Sequence, residues 1–311
     1  LKITYLVQFD DYYDDWNFFY TVEPHVSNAE TWQRHYYGDR GDGFLKEAFP
    51  WNFTYLTKFF LHYAGYTVEN THYFLLLFSI LSFFVFYSFC KLISKDFNFH
   101  ILAFVLFVTN LFLVRELNSF RPHSLSVLFS LISNYFFIIV FIKKKINKFP
   151  MISYIFSVLV MLSFWPQNLS LFGGHCIFLL LLFLKKEISK KLLLITPTII
   201  LASYISLNYQ YIEYIALQDW SYTPLNKKFF MNYFFRSFFG SILFGGIMLV
   251  IFAFFLINSL KNEIKYFGSK LFLKLNAENF IIINILSIYL ILISYSIIKE
   301  SVLAPKYFLV L

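Results

Sequence analysis

"HYFLLLFSILSFFVFYSFCK", residues 72–91, is the stretch on which the fold turns. Phe, Leu and Ile fall on every side of the helix this run would form, so no polar face is left for water. A helix needs ~20 apolar residues to cross the hydrocarbon core of a bilayer. Phe280–Ile298 is a second run of this kind near the other end of the sequence. The 311-residue chain is 59% hydrophobic and 14% charged, against about 25% charged in ordinary soluble domains, and its mean hydropathy is +0.62. The fold class these features predict is all-α: a polytopic integral membrane protein.

Outward from 72–91, apolar segments recur near 98–114, 122–142, 151–165, 170–184, 192–208, 239–258 and 280–298, and another starts at about 306. Every second connection is basic: Lys91/Lys95, Lys143/Lys144/Lys145/Lys148, Lys185/Lys186/Lys190/Lys191 and Lys261/Lys265/Lys270/Lys274. These four connections carry 14 lysines against four acids, whereas the rest of the chain carries 12 Lys/Arg against 14 Asp/Glu. Lys and Arg beside helix ends mark the cytoplasmic side. The net charge of +8 is thereby accounted for by topology, and no nucleic-acid partner is implied. Residues 10–71, 115–121, 166–170, 209–238 and 299–305 are expected to face outward.

The expected organisation is therefore in three parts. Residues 1–9 end a clipped first transmembrane helix, 10–71 form an extracytoplasmic loop with interfacial helices, and 72–311 form a transmembrane domain of about eight spans, the last truncated. The start at Leu1 and the stop within "YFLVL" suit a piece of a longer chain. Within the loop, "FPWNFTYLTKFFLHYAGY" reads as a short helix opening at Pro50 and ending near Gly65, with Trp and Tyr suited to the membrane–water interface. Cys90 and Cys176 sit in apolar runs with no metal-ligand spacing, and so read as buried small residues.

Chemistry-bearing residues gather in the outward connections. "FDDYYDDWNFFY" (9–20) sets Asp10, Asp11, Asp14 and Asp15 among aromatics just past a membrane helix, a boundary where desolvation shifts carboxylate pKa values. "VRELNSFRPHSL" (114–125) packs Arg115, Glu116, Arg121 and His123 into one short turn. Pro122 suits the first turn of the next helix, which sets Arg121 at a helix N-terminus, where anions are favoured. "KESVLAPKYFLVL" (299–311) opens another helix with Lys306 after Pro305. Arg and Lys at such positions also snorkel to headgroups. In "FWPQNLS", Gln167 and Asn168 suit a helix cap or contacts to sugar hydroxyls. His175, inside an apolar run, reads as a hydrogen-bonded core histidine. Neither a nucleotide-binding loop nor a Ser/His/Asp arrangement is visible.

In this order the motifs resemble those of the GT-C membrane glycosyltransferases, especially the protein-mannosyltransferase and aminoarabinose-transferase-like branch (glycosyltransferase family 39-like). The resemblance runs over about residues 10–142 and returns at 302–311. "DDWNFFY" is similar to the family's Asp-Glu motif, with Asp15 in place of Glu. "SFRPHSLSVL" is similar to its Arg-Pro-Tyr turn, with His123 in place of Tyr, and "APKYFLVL" to its Arg-Tyr helix start, with Lys306 in place of Arg. The resemblance implies a GT-C-like bundle that transfers a sugar from a polyprenyl-phosphate donor to a glycan, lipid or protein acceptor hydroxyl, with inversion at the anomeric carbon. It implies a catalytic face that is extracytoplasmic (periplasmic) on an inner or plasma membrane, in the making of cell-envelope glycans. Asp14 or Asp15 would be the base, with Asp10 and Asp11 as rival placements. Arg121, His123 and Lys306 would hold the donor phosphate, with Arg115, Glu116, Gln167 and Asn168 in secondary positions. No cofactor is required, although parts of the family use a divalent cation near the acids. The competing reading is a transporter, flippase or non-catalytic binder of lipid-linked saccharides. Transporters place ionisable groups near the membrane midplane, whereas here charge collects at one face.

Overall fold

The computed structural model describes residues 18–37, 50–216, 235, 241–264 and 275–298. Among them every regular element is a helix. A first layer holds a helical turn at 18–21, α1 (Asn28–Tyr37) and α2 (Asn52–Ala64). The bundle follows: α3 (Val68–Ile93), α4 (Phe97–Thr109), α5 (Leu111–Asn118), α6 (His123–Phe137), α7 (Lys148–Phe164), α8 (Leu169–Leu184), α9 (Lys190–Ala216), α10 (Ile242–Ile264) and α11 (Ala277–Ile298). Among the described residues five helical segments are long and apolar enough to cross a membrane: Val68–Ile93, His123–Ile142, Pro166–Leu184, Lys190–Glu213 and Ala277–Ile297. Phe97–Thr109, Lys148–Phe164 and Ile242–Ile251 are shorter apolar helices.

Local sequence explains where these helices begin and end. The expected Pro50–Gly65 helix forms as α2 and stops at Gly65, whose φ of 100° favours glycine. Thr67 then caps α3 by accepting from the Asn70 amide at 3.2 Å. The run expected as one span over 98–114 is instead divided. Asn110 adopts extended backbone, ends α4, and accepts from the Leu113 amide at 2.9 Å to start α5. The connection expected from residue 209 also differs, because α9 continues to Ala216 across a non-helical Asn208.

Two lysine-rich turns lie side by side at one end of the bundle. Lys144 Nζ meets Glu187 Oε2 at 3.1 Å, joining the α6–α7 and α8–α9 connections. Lys144 and Lys186 both take left-handed backbone, with φ of 55° and 60°. At the second turn the Glu187 amide donates to the Leu182 carbonyl and that of Lys186 to the Phe183 carbonyl, both at 2.8 Å, which closes α8. Lysine there also meets the negative end of the helix dipole.

Inside the bundle, four helices meet at a polar cluster. Asn134 of α6 has one carbonyl oxygen, Oδ1, facing both His175 Nε2 of α8 at 2.8 Å and Asn284 Nδ2 of α11 at 3.2 Å. Because that oxygen can only accept, Nε2 carries the ring proton. Nδ1 then accepts from the Tyr154 hydroxyl of α7 at 3.1 Å. Phe137 and Phe280 stack at 4.3 Å beside the imidazole. His175 is thus the hydrogen-bonded core residue expected, and Cys90 is buried as expected, whereas Cys176 is only half-buried. Gly173 and Gly174 bring α8 and α11 into close approach. A Cβ on Gly174 would lie 2.4 Å from Asn284 Oδ1 and 3.1 Å from its Cα, whereas one on Gly246 would meet nothing within 4 Å.

This contrast gives Gly→Ala substitutions of opposite sign. Gly174→Ala should destabilise the bundle by about 1–3 kcal/mol through overpacking. Gly246→Ala should stabilise it by about 0.5–1 kcal/mol through helix propensity. Detergent-titrated unfolding of the purified protein measures both, and equal effects would refute the close approach of α8 and α11.

Candidate anion site at one end of the bundle

At the end away from the lysine turns, the layer of residues 18–37 and α2 is tied down by buried charge. Arg34, 8% exposed, meets Glu23 at 3.0 Å and also pairs with Glu30. It donates to the Tyr20 carbonyl at 3.1 Å and lies 3.9 Å over the Tyr20 ring. Burial alone would lower the pKa of this guanidinium, but the two carboxylates hold it above its ordinary value. Lys58 donates at 2.7 Å to both the Val26 carbonyl and the Thr31 hydroxyl. Burial lowers its pKa, and Arg34 adds repulsion in the same direction. Tyr66 donates to the Phe19 carbonyl at 2.7 Å, and the two rings stack at 4.2 Å. Burial, with Glu23 second, raises the Tyr66 pKa.

Phe18 carries this layer onto the turn between α5 and α6. Its ring stacks on Phe53 at 5.3 Å and meets Phe120 edge-on at 4.7 Å. The Arg121 guanidinium carbon lies 5.9 Å from the centre of the same ring. Arg121 precedes Pro122, the N-cap of α6, so its charge stands at the positive end of that helix. The first-turn amides of a helix have no intrahelical acceptor, which makes this end receptive to an anion.

His123, the first residue of α6, is 2% exposed. Its Nδ1 lies 3.0 Å from Glu116 Oε2 and 3.2 Å from Ser119 Oγ. The Ser119 hydroxyl donates to the Glu116 carbonyl at 2.8 Å, so its oxygen is oriented to accept from Nδ1. The Trp165 ring meets the imidazole edge-on at 4.7 Å. Ser124 follows, fully buried, with no hydrogen-bond partner for Oγ among the described residues. Gln167 Oε1 is likewise enclosed and unpartnered among the described residues.

Of the site residues expected from sequence, Glu116, Arg121 and His123 come together, and the 165–168 turn borders them. Arg115, one residue before Glu116 on α5, is exposed. Asn168 corrects the expectation of a helix cap or sugar contact. It is 1% exposed and makes no cap bond. Its Nδ2 instead donates to Ser126 Oγ at 2.8 Å and to the Met161 carbonyl at 3.2 Å, locking the α7–α8 junction onto the first turn of α6. Asp10, Asp11, Asp14, Asp15 and Lys306 lie outside the described residues. Sequence reading missed Ser124, whose only signal was its place two residues after Pro122. Among the described residues no group of three or more His, Cys, Asp or Glu side chains is arranged to hold a metal ion.

Comparison of the chain with known protein families, curated proteins and solved structures finds no match.

Arg34→Leu tests whether buried charge holds the 18–37 layer in place. Glu23 and Glu30 are 32% and 46% exposed, so water takes up part of their charge once Arg34 is gone. The local cost should fall below the ~3–5 kcal/mol of a fully buried pair. Amide hydrogen exchange should accelerate across residues 18–37 and stay unchanged in α6, and unaltered exchange over 18–37 would count against the tie.

Proposed function

We propose that the chain is a membrane glycosyltransferase that moves a sugar from a polyprenyl-phosphate donor to an acceptor hydroxyl at the extracytoplasmic face. The observation that carries this reading is the packing of Phe18 beside Arg121 at the N-terminus of α6. Asp15 and Asp14 precede Phe18 by three and four residues in the sequence. Carboxylates and an anion-receptive helix end at one membrane face are what transfer from a phosphate-linked donor needs.

In this mechanism the Asp14 or Asp15 carboxylate takes the proton of the acceptor hydroxyl. The hydroxyl oxygen attacks the anomeric carbon from the side opposite the phosphate and forms the new glycosidic bond. The bond from carbon to phosphate oxygen breaks, its electron pair leaves with the lipid phosphate, and the configuration inverts. Arg121, with Lys306, stabilises the charge that grows on that phosphate. Ser124 and the first-turn amides of α6 add donors on the same side.

Membranes containing the full-length protein and labelled polyprenyl-phosphate sugars provide the test. Asp14→Asn or Asp15→Asn should lower transfer about 100-fold or more, as loss of a general base does. Arg121→Ala should raise the donor KM about 10- to 100-fold, the worth of a hydrogen bond to a charged group. Transfer at the wild-type rate in both Asp variants would remove the base assignment, and an unchanged KM would remove the phosphate role of Arg121.

A further inference from the structure

We propose that the two lysine turns, at the end of the bundle opposite Arg121, form a binding site for the headgroup of an anionic phospholipid of the surrounding bilayer. The proposal does not rest on the glycosyltransferase reading, which concerns the other end. Residues 143–148 and 185–191 hold eight lysines against one carboxylate, Glu187. The Lys144–Glu187 contact at 3.1 Å draws the two turns together and engages that carboxylate. Helix dipoles do not neutralise the remainder. The helical segments of α6 and α8 end here while α7 and α9 begin here, so their opposite partial charges offset one another. Lys143, Lys145, Lys148, Lys186, Lys190 and Lys191 are exposed, which presents the surplus positive charge at the surface.

Depth and chemistry point to a lipid rather than to a soluble polyanion. Lys143 directly follows the membrane-length segment His123–Ile142, Lys185 follows Pro166–Leu184, and Lys190 opens Lys190–Glu213. Segments of this length match the ~30 Å hydrocarbon core, which sets these lysines at headgroup level. The backbone holds them there. The Lys143 amide donates to the Ile138 carbonyl at 2.8 Å, and that of Lys145 to the Ile139 carbonyl at 3.1 Å. At Lys144 and Lys186 the left-handed backbone would suit glycine, so lysine at both keeps a cation where turn geometry alone favours none. Apolar side chains stand beside the charges. Ile146 lies within the first turn, Phe149 in the first turn of α7 and Leu184 at the end of α8, and all three are exposed. A phospholipid offers a phosphate to the lysines and acyl chains to these apolar groups, whereas a nucleic-acid backbone offers only the first.

Native mass spectrometry of the purified full-length protein in non-ionic detergent, titrated with dioleoyl phosphatidylglycerol or dioleoyl phosphatidylcholine, tests the site. The wild type should bind the anionic lipid about tenfold or more tightly than the zwitterionic one. Lys143→Gln combined with Lys186→Gly should lower phosphatidylglycerol affinity about 25-fold, at about fivefold per lysine, and leave phosphatidylcholine binding unchanged. Both changes suit the fold, since Lys143 is exposed and glycine accepts the φ of 60° at position 186. Lys91→Gln combined with Lys95→Gln removes the same charge from the α3–α4 connection and should cost less than about fivefold in total. Equal affinity of the wild type for the two lipids overturns the proposal without recourse to any variant. So do equal losses in the two double variants, which would reduce the turns to diffuse charge on one face. Glycerol 3-phosphate in large excess should fail to displace the lipid, and displacement would assign the turns to a soluble phosphate instead.

Discussion

The Asn134 carbonyl oxygen, which accepts from His175 and Asn284 together, is the contact on which the bundle's arrangement most depends. In lipid the hydrophobic effect does not sort one apolar helix face from another, because the surrounding tails are equally apolar. With Phe, Leu and Ile on every side, most rotations of α6, α7, α8 and α11 would bury nearly the same area. A polar group in hydrocarbon is different, since leaving it unmatched costs several kcal/mol. The Asn134 carbonyl, the His175 imidazole, the Tyr154 phenol and Asn284 Nδ2 find these partners only when the four faces meet, while Asn284 Oδ1 is buried without a hydrogen-bond partner among the described residues. The glycine pair on α8 removes the side-chain bulk that would otherwise keep Asn284 out of reach.

That rotational lock is transmitted to the bundle end where the candidate site lies. Once α6, α7 and α8 are fixed about His175, the Asn168 amide can reach Ser126 and the Met161 carbonyl at the far end of the same helices. Asn208 then bridges the end of α7 to α2, through Ser163 Oγ at 3.1 Å and the Asn52 amide at 3.0 Å. Asn52 opens an Asn-Phe-Thr sequon, and its amide is committed to this contact within the protein. A rigid rim results, on which the 18–37 layer is held by Arg34 and Lys58. Precise placement of Arg121 and His123 follows from polar joints at two depths, because a turn of four residues could not hold that geometry alone.

The broad architecture was legible because apolar length and lysine placement are both local signals. Helix 72–91 and the Pro50–Gly65 helix needed only composition, a proline and a glycine. The Lys144–Glu187 contact agrees with grouping those turns on one side. What could not be read was any feature created by a partner distant in sequence. Asn110 looks like a tolerable polar residue within an apolar run until its side chain caps a new helix. Asn168 looks like a cap until the fold offers it Ser126, 42 positions away. Glu116 and His123 were visible as members of one turn. Their pairing through Nδ1, however, depends on the turn bringing the end of α5 against the start of α6. The acids and Lys306 were legible as motifs alone.

His123 and His175 show how environment divides one residue type between two tasks. Both are almost fully buried, and in each case Nδ1 is held by a neighbour. At His175 the described neighbours are a phenol, an amide and two stacked rings, so the ring serves as a joint between helices. At His123 the neighbour is a carboxylate, with a guanidinium two residues off and a helix N-terminus beneath, so the ring sits among charges of both signs. The joint at His175 holds three helices to one another through the two ring nitrogens. The Glu116 carboxylate beside His123, where His175 meets a phenol and an amide, is the difference between the two.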